Sequence, residues 1–279
     1  MNPTAPADDL PILHQDDHLL VIAKPAGLLV HRTMLDAQED RNALDLLQAQ
    51  TGLRLWPLHR LDKATSGVLA FGRSAAVVRE LGAAFEAGRV KKHYLALVRG
   101  WPPEAGAIDQ ALARDPELPS AGQPRLAALT HYRRLACHEW PFPDGRHPSS
   151  RYALMLVAPA SGRRHQIRRH FKHIAHPLVG DSTHGKGAHN RAVAAWLGQA
   201  RLWLHAWRLE LPALAADGPA ASPRVIEALP GPAWAALGWS AEQAQGLLTV
   251  LPGDASIGLG SDAGAAGPGL PAISVRPGP

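Results

Sequence analysis

The sequence predicts an α+β fold, because segments with the pattern of strands are interspersed with segments that have the pattern of helices. Short apolar runs, such as residues 19–23 and 68–71, have the length and composition of buried strands. Residues 90–100 and 152–157 alternate in the manner of strands that have two different faces. Capped amphipathic segments between these runs indicate helices.

Two helices are predicted in the first half of the chain. Asn42 is a good N-cap for a helix over residues 43–50, which ends at Gly52. Ser74 caps a second helix, which Gly88 ends. The apolar stripe of the second helix is interpreted as core and consists of Val77, Val78, Leu81, Ala84 and Phe85.

The second half is predicted to contain a variable excursion, two further strands and two helices. Residues 102–123 are rich in Pro, Ala and Gly and form the excursion, and a long strand begins at Thr130. A helix opens after Gly162, a strand covers residues 202–206, and Ser240 begins a capping box for a last short helix.

Composition bounds the class of protein. The 279 residues suit one large domain or two closely joined subdomains, and no apolar run approaches the ~20 residues of a membrane span. Residues 1–9 carry two acids and no basic residue, unlike a secretory signal or a transit peptide. With Cys137 as the single cysteine, an internal disulfide is impossible, and we expect a cytoplasmic protein.

One acidic residue stands in an unusual context, within the stretch His59–Gly67. Asp62 lies between Arg60 and Lys63, and positive charge nearby favours the ionised carboxylate. A turn of small residues and an apolar run follow, so a carboxylate on a rigid strand edge could act as a nucleophile. From the residues alone, a surface aspartate in an ion pair before a strand is the favoured explanation of the pattern.

The net charge of +5 favours a polyanionic partner, and it is concentrated in one stretch. Between positions 163 and 176 there are five cations and no acid, namely Arg163, Arg164, Arg168, Arg169 and Lys172. Gly162 leads into the N-terminus of the predicted helix, where unpaired N–H groups favour an anion. A nucleic-acid surface is the favoured interpretation.

Four histidines in the same stretch raise the alternative of a zinc site. They are His165, His170, His173 and His176. The run contains no carboxylate and no cysteine pair, and a metal ion would lie amid five cations. We therefore expect no metal.

Several motifs, in order, resemble those of the RluA-type pseudouridine synthases. Residues 59–62 followed by Thr65-Ser66-Gly67 resemble the catalytic motif of this family. The other matching segments are Lys24-Pro25-Ala26-Gly27 with Val30-His31, Lys92–Ala96, Gly162–His170 and Leu204-His205-Ala206. The resemblance implies the pseudouridine synthase catalytic fold, with a mixed, mostly antiparallel β-sheet core in two subdomains flanked by helices.

The resemblance also implies roles for individual residues. Asp62 corresponds to the catalytic aspartate, Arg168 to the arginine that pairs with it, and Tyr94 to the tyrosine that packs against the target base. Lys24 corresponds to a residue that supports the catalytic loop. Substrate or RNA contacts are expected from Arg60, Arg163, His165, Gln166, Arg169, Lys172 and Leu204, the last as an apolar wall of the pocket. The family requires no cofactor.

Less constrained segments resemble the branch of the family that modifies uridine 65 in the T stem of tRNA. They are Val30-His31-Arg32 with Asp36, Thr130–Arg133, Gly145–Tyr152 and His189-Asn190-Arg191. The same chemistry on 23S ribosomal RNA is the first alternative, and a non-catalytic RNA-binding protein is the second. A glycosidase is disfavoured because it usually needs two facing carboxylates. We expect a monomer.

The resemblance divides the chain into three parts. Residues 1–9 form an N-terminal extension, and residues 10–251 form the catalytic domain. In residues 252–279, Gly and Pro account for 12 of 28 positions, so too little apolar surface is available to offset the entropy of ordering. We expect a disordered tail there.

Overall fold

The structure, a computed structural model, describes residues 9–32, 41–143, 146–218 and 220–248. The described parts of residues 1–94 and 204–230 form one compact unit, and the described parts of residues 95–203 and 231–279 form the other. Asp36, Gly145 and the Gly/Pro-rich segment from Pro252 onward lie outside the described residues. No described helix is long and apolar enough to cross a membrane.

Strands and helices are mixed along the chain, which confirms the α+β class. The strands are β1 Ile12–Gln15, β2 Leu19–Lys24, β3 Trp56–Pro57, β4 Ser66–Gly72, β5 Lys91–Arg99, β6 Ala105–Asp109, β7 Leu112–Ala113, β8 Arg125–Leu126, β9 Leu129–Trp140, β10 Ser150–Pro159, β11 Leu204–Leu211 and β12 Arg224–Glu227. The helices are α1 Ala43–Thr51, α2 Ala75–Glu86, α3 Gln166–His173, α4 Gly187–Leu197, α5 Pro232–Ala235 and α6 Ala241–Leu248.

The first unit is a sheet with strand order β1-β2-β4-β11, in which β12 pairs with β11 and β3 with β4. Strands β2 and β4 are antiparallel, whereas β4 and β11 are parallel, with Gly67 opposite Ala206. A Cβ atom at Gly67 would lie 2.0 Å from the carbonyl oxygen of Ala206. Only glycine therefore permits this approach, which holds the start of β4 against β11.

Alternating side chains of the first sheet pack on two helices. Leu19 and Val68 belong to the apolar cluster that includes the buried face of α2, whereas Leu20 and Leu69 belong to the cluster that includes α1. The period of two along β2 and β4 accounts for this division. Asn42 and Ser74 cap the two helices with side-chain hydrogen bonds, as the sequence predicts.

The second unit contains strands in the order β5-β10-β9-β6, and a separate two-stranded hairpin from β7 and β8. Strand β5 begins in the first unit and enters the second at Leu95. The predicted excursion at residues 102–123 instead contains β6 and β7, because β6 adds to the edge of the long strand β9. Helix α4 has no counterpart in the sequence interpretation; its Trp196 packs near Trp140 of β9.

Candidate active site

A buried lysine forms hydrogen bonds that hold the loop that carries Asp62. Lys24 is 1% exposed, and its Nζ donates to the carbonyl oxygens of Pro25 at 2.8 Å, Leu28 at 2.7 Å and Lys63 at 3.2 Å. The N–H of Gly27 donates to the same Lys63 oxygen at 2.8 Å. A buried ammonium is tolerable only with such partners, and these contacts agree with the supporting role expected of Lys24.

We expect Lys24→Met to unfold more easily and to loosen this loop. The change leaves three carbonyl oxygens without their charged donor, so the free energy of unfolding should fall by about 3 kcal/mol. Urea denaturation provides the measurement, with Lys172→Met as the control because Lys172 is exposed. Equal stability of Lys24→Met and the unaltered protein would contradict this role.

The end of the loop is anchored to β11 by a buried polar chain. The Oγ of Ser66 lies 2.8 Å from Nδ1 of His205, and Nε2 of His205 lies 2.8 Å from the carbonyl oxygen of Ala228. Because a carbonyl only accepts, Nε2 donates and Nδ1 accepts from the Ser66 hydroxyl. Leu204, the predicted apolar wall, is 3% exposed beside this anchor. Its contact with a base remains a prediction.

Two of the three predicted catalytic residues influence one another within the first unit. Burial raises the pKa of the Tyr94 hydroxyl, and the negative charge of Asp62 raises it further. Tyr94 is partly buried and packs against the apolar cluster that contains Leu61 and Ala206. Asp62 is half-buried, and the raised pKa of Tyr94 keeps its phenol protonated at neutral pH. Arg60, next to Asp62, is exposed.

His59 begins the catalytic stretch and has a packing role. Its ring stacks on Phe85 at 5.3 Å, and its Nε2 accepts from the N–H of Ala70 at 3.2 Å. Burial and the positive charge of Lys92 lower the pKa of His59 to about 3. Burial also lowers the pKa of Lys92 to about 8. His59 is thus a neutral acceptor at physiological pH.

The neutral state of His59 predicts a loss of stability in acid. The unfolded chain binds a proton on this imidazole near pH 6.5, whereas the folded chain resists protonation down to about pH 3. The free energy of unfolding should fall across that window, by at most about 1.4 kcal/mol per pH unit for one proton. His59→Gln keeps an acceptor for Ala70 and should show a shallower fall in urea titrations, whereas exposed His173→Gln should match the unaltered protein.

Helix α3 begins later than predicted, and Gln166 holds its start. His165 precedes the helix in the left-handed region, with a φ of 53°. The Oε1 of Gln166 accepts from the N–H of Arg163 and the hydroxyl of Ser161, while its Nε2 donates to the carbonyl oxygen of Leu129 and to Oγ1 of Thr130. The amide is thus engaged in structure. The RNA contacts expected of His165 and Gln166 stay predictions.

Arg168, the third predicted catalytic residue, makes a buried two-point ion pair in the second unit. Its Nε lies 2.8 Å from Oδ2 of Asp181, and its Nη2 lies 2.9 Å from Oδ1. Asp181 is 1% exposed and also accepts from the backbone N–H groups of Thr183 and His184. Burial alone would raise the pKa of Asp181, but the hydrogen bonds from Arg168 and the His184 N–H outweigh burial and lower it.

Asp181 was not among the residues to which the sequence interpretation assigned a role. The signal was present in Gly180-Asp181-Ser182-Thr183, where an aspartate before a turn can accept from the N–H groups that follow it. The partner expected for Arg168 was Asp62, which belongs to the first unit. That pairing stays a prediction.

The basic surface is narrower than the sequence suggests. Arg164 pairs with Asp115 at 3.2 Å and also with Glu117, so its charge is neutralised locally, as is that of Arg168. Lys172 and Arg163 are exposed, and Arg169 is half-buried. The RNA contacts expected of these last three residues stay predictions.

Two of the four histidines considered for zinc have ring nitrogens within hydrogen-bond distance of protein oxygens. Both ring nitrogens of His170 are within hydrogen-bond distance of protein oxygens, at 2.9 Å from Oγ1 of Thr130 and 3.0 Å from the carbonyl oxygen of Gln110. Nδ1 of His176 lies 2.8 Å from the carbonyl oxygen of Arg99. In the part of the chain that the structure describes, no three His, Cys, Asp or Glu side chains converge as metal ligands.

The chain is similar to known proteins along most of its described length. The family model for RNA pseudouridylate synthase matches residues 18–173. The chain is 42% identical over 205 residues to tRNA pseudouridine synthase C of Vibrio cholerae, which covers 72% of this chain and 84% of the relative. It is 43% identical over 202 residues to the protein of the same name from Haemophilus ducreyi, and this alignment covers 71% of this chain and 83% of that relative.

A third relative is longer than this chain. Over 207 residues the chain is 42% identical to tRNA pseudouridine synthase C of Pectobacterium carotovorum, covering 72% of this chain but only 55% of that protein. Among solved structures, Human RNA Pseudouridylate Synthase Domain Containing 1 matches 89% of this chain and 98% of its own, with a TM-score of 0.65. At 24% identity, that likeness shows a shared fold.

Proposed function

The chain belongs to the RNA pseudouridylate synthase family and is therefore an isomerase, and from that premise we propose that its substrate is tRNA and its target uridine 65 in the T stem. The names of the bacterial relatives support tRNA as the substrate. The segments around Thr130 and His189, which resemble the T-stem branch, support the choice of uridine. The reaction takes place in the cytoplasm, on a monomeric enzyme.

The reaction rearranges bonds within one nucleotide. The N1–C1′ glycosidic bond breaks, the uracil turns, C5 bonds to C1′, and the C5 proton leaves as N1 gains one. Because no atom or electron is gained overall, the isomerisation needs no co-substrate and no electron carrier.

The observation that carries the catalytic part of this proposal is the placement of Asp62 in a loop held by Lys24, directly after Leu61, which belongs to the apolar cluster against which Tyr94 packs. Asp62 supplies the nucleophile, and Tyr94 stacks on the uracil and assists the loss of the C5 proton. We assign to Arg168 the orientation of this carboxylate, which is the role that the family resemblance implies. Rigid placement favours such chemistry because the reacting groups need no rearrangement.

A uridine in a paired stem must leave the helix before it can react. Flipping it out costs a few kcal/mol, which contacts to the RNA backbone offset. Arg60 is exposed directly beside Asp62 and can occupy the position that the base vacates.

Tritium release tests the proposal. Purified protein is incubated with tRNA transcripts that carry 5-tritiated uridine, with a transcript that has cytidine at position 65, and with 23S ribosomal RNA. We expect release from the first transcript and a loss of release from the second. Release from the ribosomal RNA alone would overturn the tRNA assignment, and release from none of the three would overturn the activity on these substrates.

A further inference from the structure

Three arginines of the second unit converge on one small hairpin. Arg125 lies on β8, and its Nη2 donates to the carbonyl oxygen of Ala111 at 2.8 Å. Nε of Arg163 donates to the carbonyl oxygen of Ala127 at 3.1 Å, and Nη1 of Arg169 donates to that of Ala113 at 2.9 Å. Three guanidinium groups from segments far apart in the sequence thus donate hydrogen bonds to main-chain carbonyl groups in or next to β7 and β8. We call these three arginines the hairpin arginine cluster.

The cluster keeps its positive charge. In the described ranges no carboxylate pairs with Arg125, Arg163 or Arg169, and their anchoring partners are neutral carbonyl groups. Arg164, from the same stretch of sequence, is different because Asp115 and Glu117 neutralise it. Arg164 is therefore paired, whereas Arg125, Arg163 and Arg169 have no carboxylate partner among the described residues.

The uncompensated charges lie close enough to repel one another. Burial lowers the pKa of Arg169, and the charge of Arg125 lowers it further. Like charges in one cluster disfavour one another, and a bound anion would reduce that repulsion. The cluster is also accessible, since Arg125 and Arg163 are exposed.

Side-chain hydrogen bonds hold the loop between β7 and β8, next to the cluster. Gln123 closes the loop between β7 and β8: its Oε1 accepts from the N–H of Asp115 at 2.7 Å, and its Nε2 donates to the carbonyl oxygens of Asp115 and Pro119 at 3.0 and 2.9 Å. Each cluster guanidinium has five N–H donors and spends few of them on the carbonyl groups. The remaining donors form a fork that suits the oxygens of a phosphate group.

We propose that Arg125, Arg163 and Arg169 together bind phosphate groups of the RNA backbone, whereas Arg164 does not. The inference rests on the proposed function in so far as the RNA is its tRNA substrate. It adds Arg125 to the predicted contacts and separates the binding arginines from the paired one. Contacts to phosphates position an RNA without reading its bases.

Salt dependence of binding tests the cluster. Full-length variants Arg125→Gln, Arg163→Gln and Arg169→Gln are titrated with labelled, unmodified tRNA between 50 and 200 mM KCl. Each variant should bind about 5- to 10-fold more weakly near 0.1 M salt, and the slope of log affinity against log salt should become shallower by about 0.7–0.9, one phosphate contact each. Arg164→Gln is the matched control and should keep the slope of the unaltered protein.

A lysine variant tests whether the charge of the arginine or the shape of its guanidinium matters for binding. Tritium release is measured as well, so that this proposal and the proposed function can fail independently. Arg125→Lys keeps the charge and should preserve the slope while weakening binding, because an ammonium lacks the fork. Unchanged slopes in all three glutamine variants, or an equal loss in Arg164→Gln, would overturn the proposal. Tritium release by the unaltered protein is measured separately. If the unaltered protein releases tritium and the glutamine variants keep its salt slope, only the proposed phosphate binding is refuted. If the variants have shallower slopes but the unaltered protein releases no tritium, only the catalytic assignment is refuted.

Discussion

Asp62→Asn should bind tRNA with the affinity of the unaltered protein and release tritium at least about a thousandfold more slowly. Asparagine has the shape of aspartate but carries no charge and is a poor nucleophile, and removing a nucleophile commonly costs a thousandfold or more in rate. The loop contacts that Lys24 and Gly27 make involve backbone oxygens, so the substitution should leave them in place. Single-turnover release with excess enzyme measures the effect on the chemical step.

The control for this substitution is an acid on the surface of the same unit. The Asp17 side chain is 99% exposed, and Asp17→Asn should release tritium at the normal rate. Binding of tRNA is measured for both variants by filter retention. A normal rate for Asp62→Asn would remove Asp62 from the chemistry, and with it the mechanism proposed above.

Asp181→Asn should lower both stability and activity. Arg168 is 7% exposed, and its guanidinium would lose the charge of a bound carboxylate; breaking a buried ion pair from one side costs about 3–5 kcal/mol. Asparagine can still accept from the N–H groups of Thr183 and His184, so the loss reports on the ion pair. Urea denaturation and tritium release at a temperature where the variant is folded measure the two effects.

A double variant separates structure from catalysis at this ion pair. Arg168→Met combined with Asp181→Asn removes both charges, and the free energy of unfolding should recover most of what Asp181→Asn loses. If Arg168 has the proposed role of orienting Asp62, tritium release should remain low, because the guanidinium is absent from the double variant. A double variant that regains both stability and activity would show that Arg168 serves the fold alone.

Local signals predicted much of the secondary structure. Asn42, Ser74 and Ser240 each accept a hydrogen bond from a backbone N–H three residues later, so the information for these caps lies within one turn. Helix α4 lacks such a cap at Lys186, and its position depends on aromatic packing with β9. It could not be predicted from its own residues for that reason.

The sequence by itself determined the α+β class, the family and the choice of the stretch around Asp62 as the candidate site. Helix caps and strand periodicity indicate the class, and motifs indicate the family and the stretch, because all of these signals are properties of neighbouring residues. Tertiary structure alone decided which charges remain available. Arg164 finds Asp115 and Glu117 across 49 and 47 residues, and Arg168 finds Asp181 through a turn that follows its helix. A count of charges along the chain cannot anticipate these pairs, because Coulomb energy depends on separation in space, and that separation is set only when the strands and helices pack.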